Sequence, residues 1–426
     1  MTSRSPQSSF AQWLDATPDR WHVARPKTLF TERRQSCTDA DVHLTPSQTY
    51  GVLPQAEFMR ITGNRVVLNL EGADSMKHVE PDDFVIHLRS FQGGIEYSGL
   101  AGKVSVAYTV LTPRPGADPG FFRWALKSQG YIQSLQATVN QLRDGQSIKY
   151  GDFDKVPLPL PPADEQRAIA DFLDEQTSRI DALIDKQTQL ITTLRERRDA
   201  CWSRAYAEAA NAGEIPLRRV IDSIADGPFG SSLTSAHYVD AGTRVIRLGN
   251  IGVNEFKDED AAFIADEHAA TLESHRARQG DVVVAGLGDD RMPLGRAALV
   301  PDIGPAIVKA DCYRLRPSPA VSGAFLAWAL SAPQVRAQMQ LLARGSTRQR
   351  LNTTVVRDVL VPQADAAAQR RALARFGADA SRVDTLIQKT QQHIALAQER
   401  RAALITAAVT GQIDVRTAGR AKQGAA

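Results

Sequence analysis

The sequence predicts an α+β protein with two pseudo-symmetric α/β domains separated by two long antiparallel helices that form an intramolecular coiled coil. Three observations support this fold class. The chain resembles itself at an offset of 203 residues. A long stretch with apolar residues at helical spacing occurs in each copy. Runs of β-branched residues between glycine turns precede both stretches, and such runs are typical of strands.

The repeat is clearest around residues 156–200 and 359–403, where identical residues recur without a gap. The repeated positions include Val156, Pro159, Gln166, Arg167, Arg179, Asp181, Ile184 and Arg198, which recur as Val359, Pro362, Gln369, Arg370, Arg382, Asp384, Ile387 and Arg401. Self-similarity at a fixed offset indicates duplicated structure. The chain is therefore a tandem duplication of a globular segment followed by a helix.

The repeated stretch predicts a helix of about 45 residues, or roughly 65 Å at 1.5 Å per residue. Asp164 and Glu165 follow two prolines, which places acidic residues in the first turn. Its apolar stripe needs a long partner, and the second copy supplies one. Residues 156–213 carry 7 basic and 10 acidic side chains, and residues 359–426 carry 10 and 5, so opposite charges favour pairing within the chain.

An antiparallel pairing of these helices predicts two globular domains at opposite ends, related by an approximate two-fold axis. The predicted segments are a first domain at 1–155, a helix within 156–213, a second domain at 214–358, a helix within 359–415 and a flexible tail at 416–426. Two alternatives remain open at this point. Each helix could instead cover its own domain, or it could pair with another chain.

The globular domains share one plan of short strands, turns and a helix. In the first domain we expect strands at 65–70, 83–88 and 103–111, a glycine turn at 93–94 and a helix at 121–136. In the second domain we expect strands at 243–248 and 281–285 and a helix at 325–342. Both domains are therefore expected to be α+β, with polar loops available for function.

Composition narrows the class of protein further. With 426 residues, 51 Lys+Arg and 48 Asp+Glu, the chain is too long for one ordinary core and close to neutral. Near-neutrality neither supports nor excludes DNA binding, because cations can gather on one face. No apolar run suits a membrane span or a signal peptide, so a cytoplasmic protein is expected. Cys37, Cys201 and Cys312 are too scattered to predict a disulfide framework or a metal site.

Several motifs resemble those of type I restriction-modification specificity subunits. PLPPADEQRAIA at 159–170, RIDALI at 179–184 and ALITAAVTGQID at 403–414 are similar to the conserved helical regions of that family. GPFGSSL at 227–233, IRLGNI at 246–251, GDVV at 280–283 and GSTRQRLN at 345–352 are similar to successive motifs of its target-recognition domain. Residues 89–94 and 104–111 look like a variant of that domain, so the resemblance covers nearly the whole chain.

The resemblance implies a non-catalytic subunit. Each recognition domain would read one half of a split target in double-stranded DNA, and the helices would set the spacing between the halves. The same helices would dock two adenine methyltransferase subunits, and a restriction and translocation subunit would join the complex. The partner-binding residues implied are Gln166, Arg167, Phe172, Arg179, Gln369, Arg370 and Arg382. No cofactor of its own is implied; S-adenosylmethionine, ATP and Mg²⁺ would be used by the partner subunits.

Candidate DNA contacts are polar residues on predicted loops, because Arg and Lys read guanine, Asn and Gln read adenine, and any exposed cation can bind phosphate. The candidates are Lys77, Arg89, Ser90 and Gln92 in the first domain, and Arg247, Asn250, Arg291, Arg348 and Arg350 in the second. Arg348 to Arg350 is the favoured phosphate contact, since polar donors cluster there without neighbouring acids. The alternative for each residue is a position on a solvated turn.

Enzyme signatures are weak in this sequence. Gly286 and Gly288 follow a predicted strand without the third glycine of a dinucleotide site, and GPFG at 227–230 lacks the lysine of a phosphate loop. Two functional classes therefore remain: a DNA-reading subunit of a methyltransferase and restriction assembly, and a DNA-independent scaffold with duplicated protein-binding domains. The second helix departs from the family pattern, since Glu165 is matched by Ala368 and Phe172 by Arg375, so the two docking sites could differ in strength.

Overall fold

A computed structural model describes residues 9–63, 76–88, 90–138, 148–288, 292–343 and 349–415. The predicted strand at 65–70, the candidates Arg89, Arg291 and Arg348, and the tail at 416–426 lie outside these ranges. The chain divides into two compact units, the first of residues 1–188 and 392–426 and the second of residues 189–391. Within the described ranges, no helix combines the length and apolarity needed to cross a membrane.

The first unit is a mixed α/β unit around a four-stranded antiparallel sheet. Its elements are β1 (His22–Ala24), α1 (Pro26–Leu29), β2 (Phe30–Glu32), β3 (Leu44–Ser47), β4 (Gly51–Pro54), α2 (Gln55–Thr62), β5 (Lys77–Val79), β6 (Phe84–Ile86), α3 (Ser90–Gly93), β7 (Glu96–Tyr97), β8 (Gly102–Val104), β9 (Thr109–Pro113), α4 (Pro119–Ala125), α5 (Gln129–Ala137), α6 (Tyr150–Phe153) and β10 (Leu158–Leu160). The sheet order is β2-β9-β6-β7, and β3 pairs with β4, β5 with β8, and β1 with β10.

Aromatic side chains fill the core of this unit. Phe30 lies at the centre, with its ring centroid 5.5 Å from Phe84, 5.2 Å from Phe122 and 5.6 Å from Phe153, all edge to face. Edge-to-face contacts add about 0.5–1.5 kcal/mol each to the burial of area. The core therefore ties the sheet to the helices that follow it.

The second unit repeats this plan and adds a second sheet. Its elements are β11 (Glu214–Pro216), β12 (Ile221–Ala225), β13 (Tyr238–Val239), β14 (Thr243–Ile246), β15 (Phe263–Ile264), α8 (Asp266–Ala270), β16 (Arg276–Ala277), β17 (Val282–Ala285), β18 (Ala297–Leu299), β19 (Ala306–Val308), β20 (Cys312–Pro317), α9 (Gly323–Ser331), α10 (Pro333–Leu342), α11 (Thr353–Asp358) and β21 (Leu360–Pro362). The sheets have the orders β12-β20-β17-β18 and β13-β15-β14-β19-β16, and β11 pairs with β21.

The four-stranded sheets of the two units have the same connectivity. In each, the first strand pairs with the last, and the last pairs with a central hairpin, β6-β7 in one unit and β17-β18 in the other. The predicted strands at 83–88, 243–248 and 281–285 are confirmed as β6, β14 and β17. The predicted strand at 103–111 is wrong as one element, because a turn closed by Tyr108 N donating to Ser105 O separates β8 from β9.

Both predicted domain helices are interrupted at corresponding places. Residues 121–136 form α4 and α5, with Ser128 beginning the second helix and its hydroxyl donating to Ala125 O. Residues 325–342 form α9 and α10, which are separated at Ala332. Pro333 explains that break, because proline lacks an amide donor and pushes the preceding residue into an extended conformation. The sequence pattern does not indicate either break, because apolar residues continue at helical spacing across it.

The two long helices are α7 (Ala163–Ala209) and α12 (Ala366–Val409). Within the first unit, Asp181 of α7 pairs with Arg401 of α12, with Oδ1 and Nε 2.8 Å apart. Within the second unit, Arg198 pairs with Asp384, with Nη1 and Oδ1 2.9 Å apart. In the same unit Glu208 pairs with Arg375, so residue numbers rise along α7 as they fall along α12, and the helices are antiparallel, as predicted.

Candidate nucleic-acid interface

In the second unit, the loop that follows β14 is shaped by Asn250. Its Oδ1 accepts a hydrogen bond from Arg247 N at 2.9 Å, and its Nδ2 donates to Lys257 O at 2.9 Å and Asp260 O at 3.1 Å. The side chain is fully buried. These three bonds occupy both amide donors, so Asn250 supports the loop from inside. The structure therefore contradicts its predicted role as a DNA contact.

Arg247 lies at the surface of the same loop. Its guanidinium pairs with the carboxylate of Asp260 and lies over the ring of Tyr238, with Cζ 5.9 Å from the ring centroid. Lys309 Nζ lies 5.4 Å from that centroid and donates to the Tyr238 hydroxyl at 3.1 Å. Two partly exposed cations therefore lie against one aromatic ring, and the charge of Arg247 is paired with that of Asp260.

Arg350 has a similar setting. Its Nε lies 2.7 Å from Asp311 Oδ1, and its Cζ lies 5.0 Å from the centroid of the Phe229 ring. The Arg350 side chain is 47 % exposed and Phe229 is 50 % exposed, so both are accessible. The arginine is thus ordered by a carboxylate and an aromatic face. Neither Phe229 nor Tyr238 was singled out from the sequence; an aromatic residue between the glycines of GPFG was the available signal for Phe229.

Asp226 supports the Phe229 loop from below. Its Oδ1 accepts hydrogen bonds from Gly227 N at 2.7 Å and Asp311 N at 3.0 Å. Burial raises the pKa of Asp226 to about 6, although the two amide donors oppose that shift. Because Asp226 holds the Asp311 amide and Asp311 pairs with Arg350, this carboxylate links the GPFG loop to the exposed arginine.

The described DNA-contact candidates of the first unit lie in three different environments. Lys77 is on strand β5 rather than on the predicted loop, and its Nζ donates to Tyr108 O at 2.7 Å. Ser90 is fully buried, and its Oγ accepts a hydrogen bond from His87 N at 2.8 Å, so its predicted DNA contact is contradicted. Gln92 is exposed and lines a cavity of about 620 Å³ together with Lys127 and Gln129.

Gln166 was expected to bind a partner subunit, but it is buried and bonded within its own unit. Its Oε1 accepts from Asp118 N at 2.8 Å, and its Nε2 donates to Gly116 O at 3.0 Å and Pro161 O at 2.9 Å. Asp118 in turn begins α4, since its carboxylate accepts from Phe121 N. Gln166 therefore fastens the start of α7 to the globular part of the first unit.

Gln369 repeats this arrangement in the second unit. Its Oε1 accepts from Ser322 N at 3.0 Å, and its Nε2 donates to Ala320 O and Ala364 O, both at 2.9 Å. Ser322 begins α9 just as Asp118 begins α4. Both glutamines are buried and make three hydrogen bonds within their own units, which contradicts their predicted partner-binding role.

The remaining partner-binding candidates lie on the surfaces of the long helices. Arg167, Arg179, Arg370 and Arg382 are exposed, and Phe172 is half-buried against the core of the first unit. Arg179 pairs with Glu175 one turn earlier. Arg375, which replaces the phenylalanine of the first copy, pairs with Glu208 of α7 at 2.7 Å. The second copy therefore fills this position with an ion pair.

No family model matches the chain. It is 21 % identical over 285 residues to the type I restriction enzyme MjaVIII specificity subunit of Methanocaldococcus jannaschii, a match that covers 62 % of this chain. The chain thus spans 64 % of that relative's length.

Solved structures are similar over a greater length. A chain from a structure described as the complex assembly and conformational transition of the type I R-M system has a TM-score of 0.62 and 14 % identity, and the match covers 93 % of this chain and 99 % of that one. The HsdS subunit from Thermoanaerobacter tengcongensis has a TM-score of 0.45 and 16 % identity, with coverage of 93 % and 98 %. The similarity to the MjaVIII specificity subunit confirms the predicted resemblance to type I restriction-modification specificity subunits, and the structure with a TM-score of 0.62 confirms the predicted fold class of two α/β domains and two long antiparallel helices.

Proposed function

We propose that this chain is the DNA sequence-specificity subunit of a type I restriction-modification complex. Each recognition domain reads one half of a bipartite target in double-stranded DNA. The observation that carries the proposal is the duplication of one domain plan, with the partly exposed Arg247 and the exposed Arg350 ordered on loops of the second copy, in a fold shared with a type I R-M chain. The named relative, itself a specificity subunit, supports the same function.

Arg247 and Arg350 are the proposed DNA contacts of the second unit. Each guanidinium is held by a carboxylate and an aromatic ring, so little side-chain freedom is left to lose when DNA binds. Gln92 is the proposed contact of the first unit. Three further DNA contacts are proposed from the sequence alone, because they lie outside the described ranges: Arg89, Arg291 and Arg348. Lys77 is a weaker proposed contact. We do not propose DNA contacts for Ser90 and Asn250, because both side chains are buried and hydrogen-bonded within their own units.

The long helices have two proposed roles. As a stiff antiparallel pair they fix the number of unread base pairs between the half-targets, because a fixed separation of two readers becomes a fixed length of duplex. Their exposed arginines and Phe172 are proposed to dock two adenine methyltransferase subunits, after which a restriction and translocation subunit joins. In this proposal the chain supplies recognition and carries no cofactor, while the partner subunits use S-adenosylmethionine, ATP and Mg²⁺.

The test is a gel-shift titration of the full chain, alone and with its methyltransferase, against random-sequence duplex DNA over a salt series. A DNA reader should bind with an affinity that falls steeply as salt rises, because bound cations release counterions from the phosphates. Sequencing the modified adenines of cells that contain the complex should then show a split motif. Binding of the methyltransferase without any DNA binding would indicate the DNA-independent scaffold instead.

A further inference from the structure

Arg296 is a buried arginine next to the loops that carry the proposed DNA contacts. It immediately precedes β18 and is only 4 % exposed. Its guanidinium donates to four well-placed backbone carbonyls: Nε to Ile251 O at 2.6 Å, Nη2 to Leu248 O at 3.0 Å, and Nη1 to Leu287 O at 3.0 Å and Pro293 O at 3.1 Å. One side chain thus holds separate segments of the second unit together.

Two of these segments lead directly to the proposed contacts. Leu248 and Ile251 bound the short turn that begins at Arg247. Leu287 forms a β-bridge with Arg350, and Leu351 N donates to Gly286 O at 2.9 Å beside that bridge. The guanidinium of Arg296 therefore bonds to Leu248, the residue after Arg247, and to Leu287, which forms a β-bridge with Arg350.

The chemistry of this arrangement favours a geometric role. Burying a charged group costs free energy unless hydrogen bonds compensate for the lost water, and an apolar side chain would fill the same space without that cost. A guanidinium carries five donors in a rigid planar fork, so carbonyls bonded to it are held at fixed mutual positions. A lysine ammonium has three rotatable donors and does not impose the same geometry.

We propose that Arg296 holds the backbone of Arg247, the base contact in this proposal, at a fixed distance from the backbone of Arg350, which anchors on phosphate, and thereby sets the sequence selectivity of the second recognition domain. This inference rests on the proposed function, because it assigns a positioning residue to the same DNA-reading surface. The ligand is one half of a split duplex target. The half that the first unit reads should not depend on Arg296.

Arg314 offers a matched control in the same unit. It is also buried, at 6 % exposure, but its Nη1 donates to Ser223 Oγ at 2.6 Å and its Nη2 to Ser274 O at 3.4 Å, so these bonds go to other segments than those that Arg296 holds. Arg296→Met and Arg314→Met remove the same charge and the same fork from a buried site. If Arg296 served stability alone, the two substitutions would alter the bound DNA sequences to the same degree.

The experiment selects bound duplexes from a random-sequence library with the full chain and its methyltransferase, and compares wild type, Arg296→Met, Arg296→Lys and Arg314→Met. We expect Arg296→Met to lower base discrimination by about fivefold or more at positions of one half-target only, since each lost bidentate base contact has about that effect. Arg296→Lys should lower base discrimination at the same half-target by a smaller factor. Arg314→Met should leave base discrimination unchanged at both half-targets.

The outcomes separate the two proposals. If wild type selects no sequence, the proposed function fails, and the inference fails with it. If wild type selects a split target and folded Arg296→Met selects it equally well, only the inference is overturned. Should thermal unfolding show that Arg296→Met does not fold, the folded Arg296→Lys variant decides: unchanged selectivity at both halves overturns the positioning role.

Discussion

Gln166 and Gln369, which lie 203 residues apart, make the same three hydrogen bonds in their respective units. Each accepts from the amide of the residue that begins a domain helix, and each donates to two backbone carbonyls, one before that helix and one before the long helix. The repeated glutamine therefore reflects a repeated set of hydrogen bonds that connects each globular part to its long helix.

Replacing either glutamine should therefore destabilise the protein. Gln166→Ala and Gln369→Ala each leave buried backbone groups unpaired, which costs about 1–3 kcal/mol of unfolding free energy for each unsatisfied group. Urea unfolding followed by circular dichroism measures this change. Gln388→Ala, at an exposed position of α12, is the control and should have almost no effect. Loss of methyltransferase binding with unchanged stability would restore the partner-binding role predicted from sequence.

The aromatic cluster of the second unit should be its most sensitive packing site. Trp328 lies nearly parallel to Trp202, with centroids 6.4 Å apart, and Phe376 lies 4.4 Å from Trp202. We expect Trp328→Ala to lower the unfolding free energy by about 3–5 kcal/mol, because the cavity left behind cannot close fully. Leu341→Ala, at a side chain that is 87 % exposed, should have little effect in the same denaturant titration. Equal effects at the two positions would contradict this packing.

Arg350 should contribute to DNA binding mainly through its charge if it contacts phosphate. Arg350→Ala should then weaken binding about equally for all sequences and reduce the slope of log affinity against log salt by about 1. Arg350→Lys should restore the slope. Arg357→Ala, at an exposed position of α11, controls for loss of a surface cation. A loss of selectivity at a single base pair, retained in the lysine variant, would instead identify a base contact.

His78 predicts a pH dependence of stability. Its Nδ1 lies 2.9 Å from Asp41 Oδ2 and its Nε2 lies 2.8 Å from Glu80 Oε1. Burial lowers its pKa, but the bonds to Glu80 and Asp41 outweigh burial, so the pKa is raised in the folded state. The stabilisation is fully present below the unfolded value of about 6.5 and is lost as pH rises through the higher folded value.

Urea titrations of wild type and His78→Gln across this range test the prediction. The stability difference between them should be largest near about pH 5.5 and smaller near about pH 8.5. His22→Gln, at an exposed position of β1, is the matched control and should show a much smaller difference. A difference that grows with rising pH would contradict a charged His78 between two carboxylates.

Periodic and repeated features of the fold follow from the sequence alone. The 203-residue offset predicts the duplication, and the spacing of Ile169, Leu173 and their successors predicts the long helices, because both signals sum over many residues. Complementary charge predicts their pairing within the chain, and in the second unit the ion pairs Arg198–Asp384 and Glu208–Arg375 join the two helices in antiparallel order.

Polar residues are harder to interpret from sequence. Gln166, Ser90 and Asn250 have the side chains of binding residues, but their hydrogen-bond partners are backbone groups of their own units. The Asp118 amide, for example, lies 48 residues from Gln166. The structural role of Arg296 could not be predicted for the same reason. Nothing local in the sequence distinguishes a buried arginine that donates to backbone carbonyls from an arginine in solvent. Burial depends on distant contacts that composition and spacing do not encode.

The aromatic cluster around Trp328 also limits how the two copies can be exchanged. The positions that correspond to Trp202 and Phe376 are Ile405 and Leu173 in the first unit, and Trp124 there lies under Arg123 and Arg401. A hybrid protein that moves one globular part onto the other copy's helices would set a bulky indole against a side chain of the wrong volume or charge. Evolutionary shuffling of specificities is therefore easiest when a globular part travels together with the helix segments that contact it.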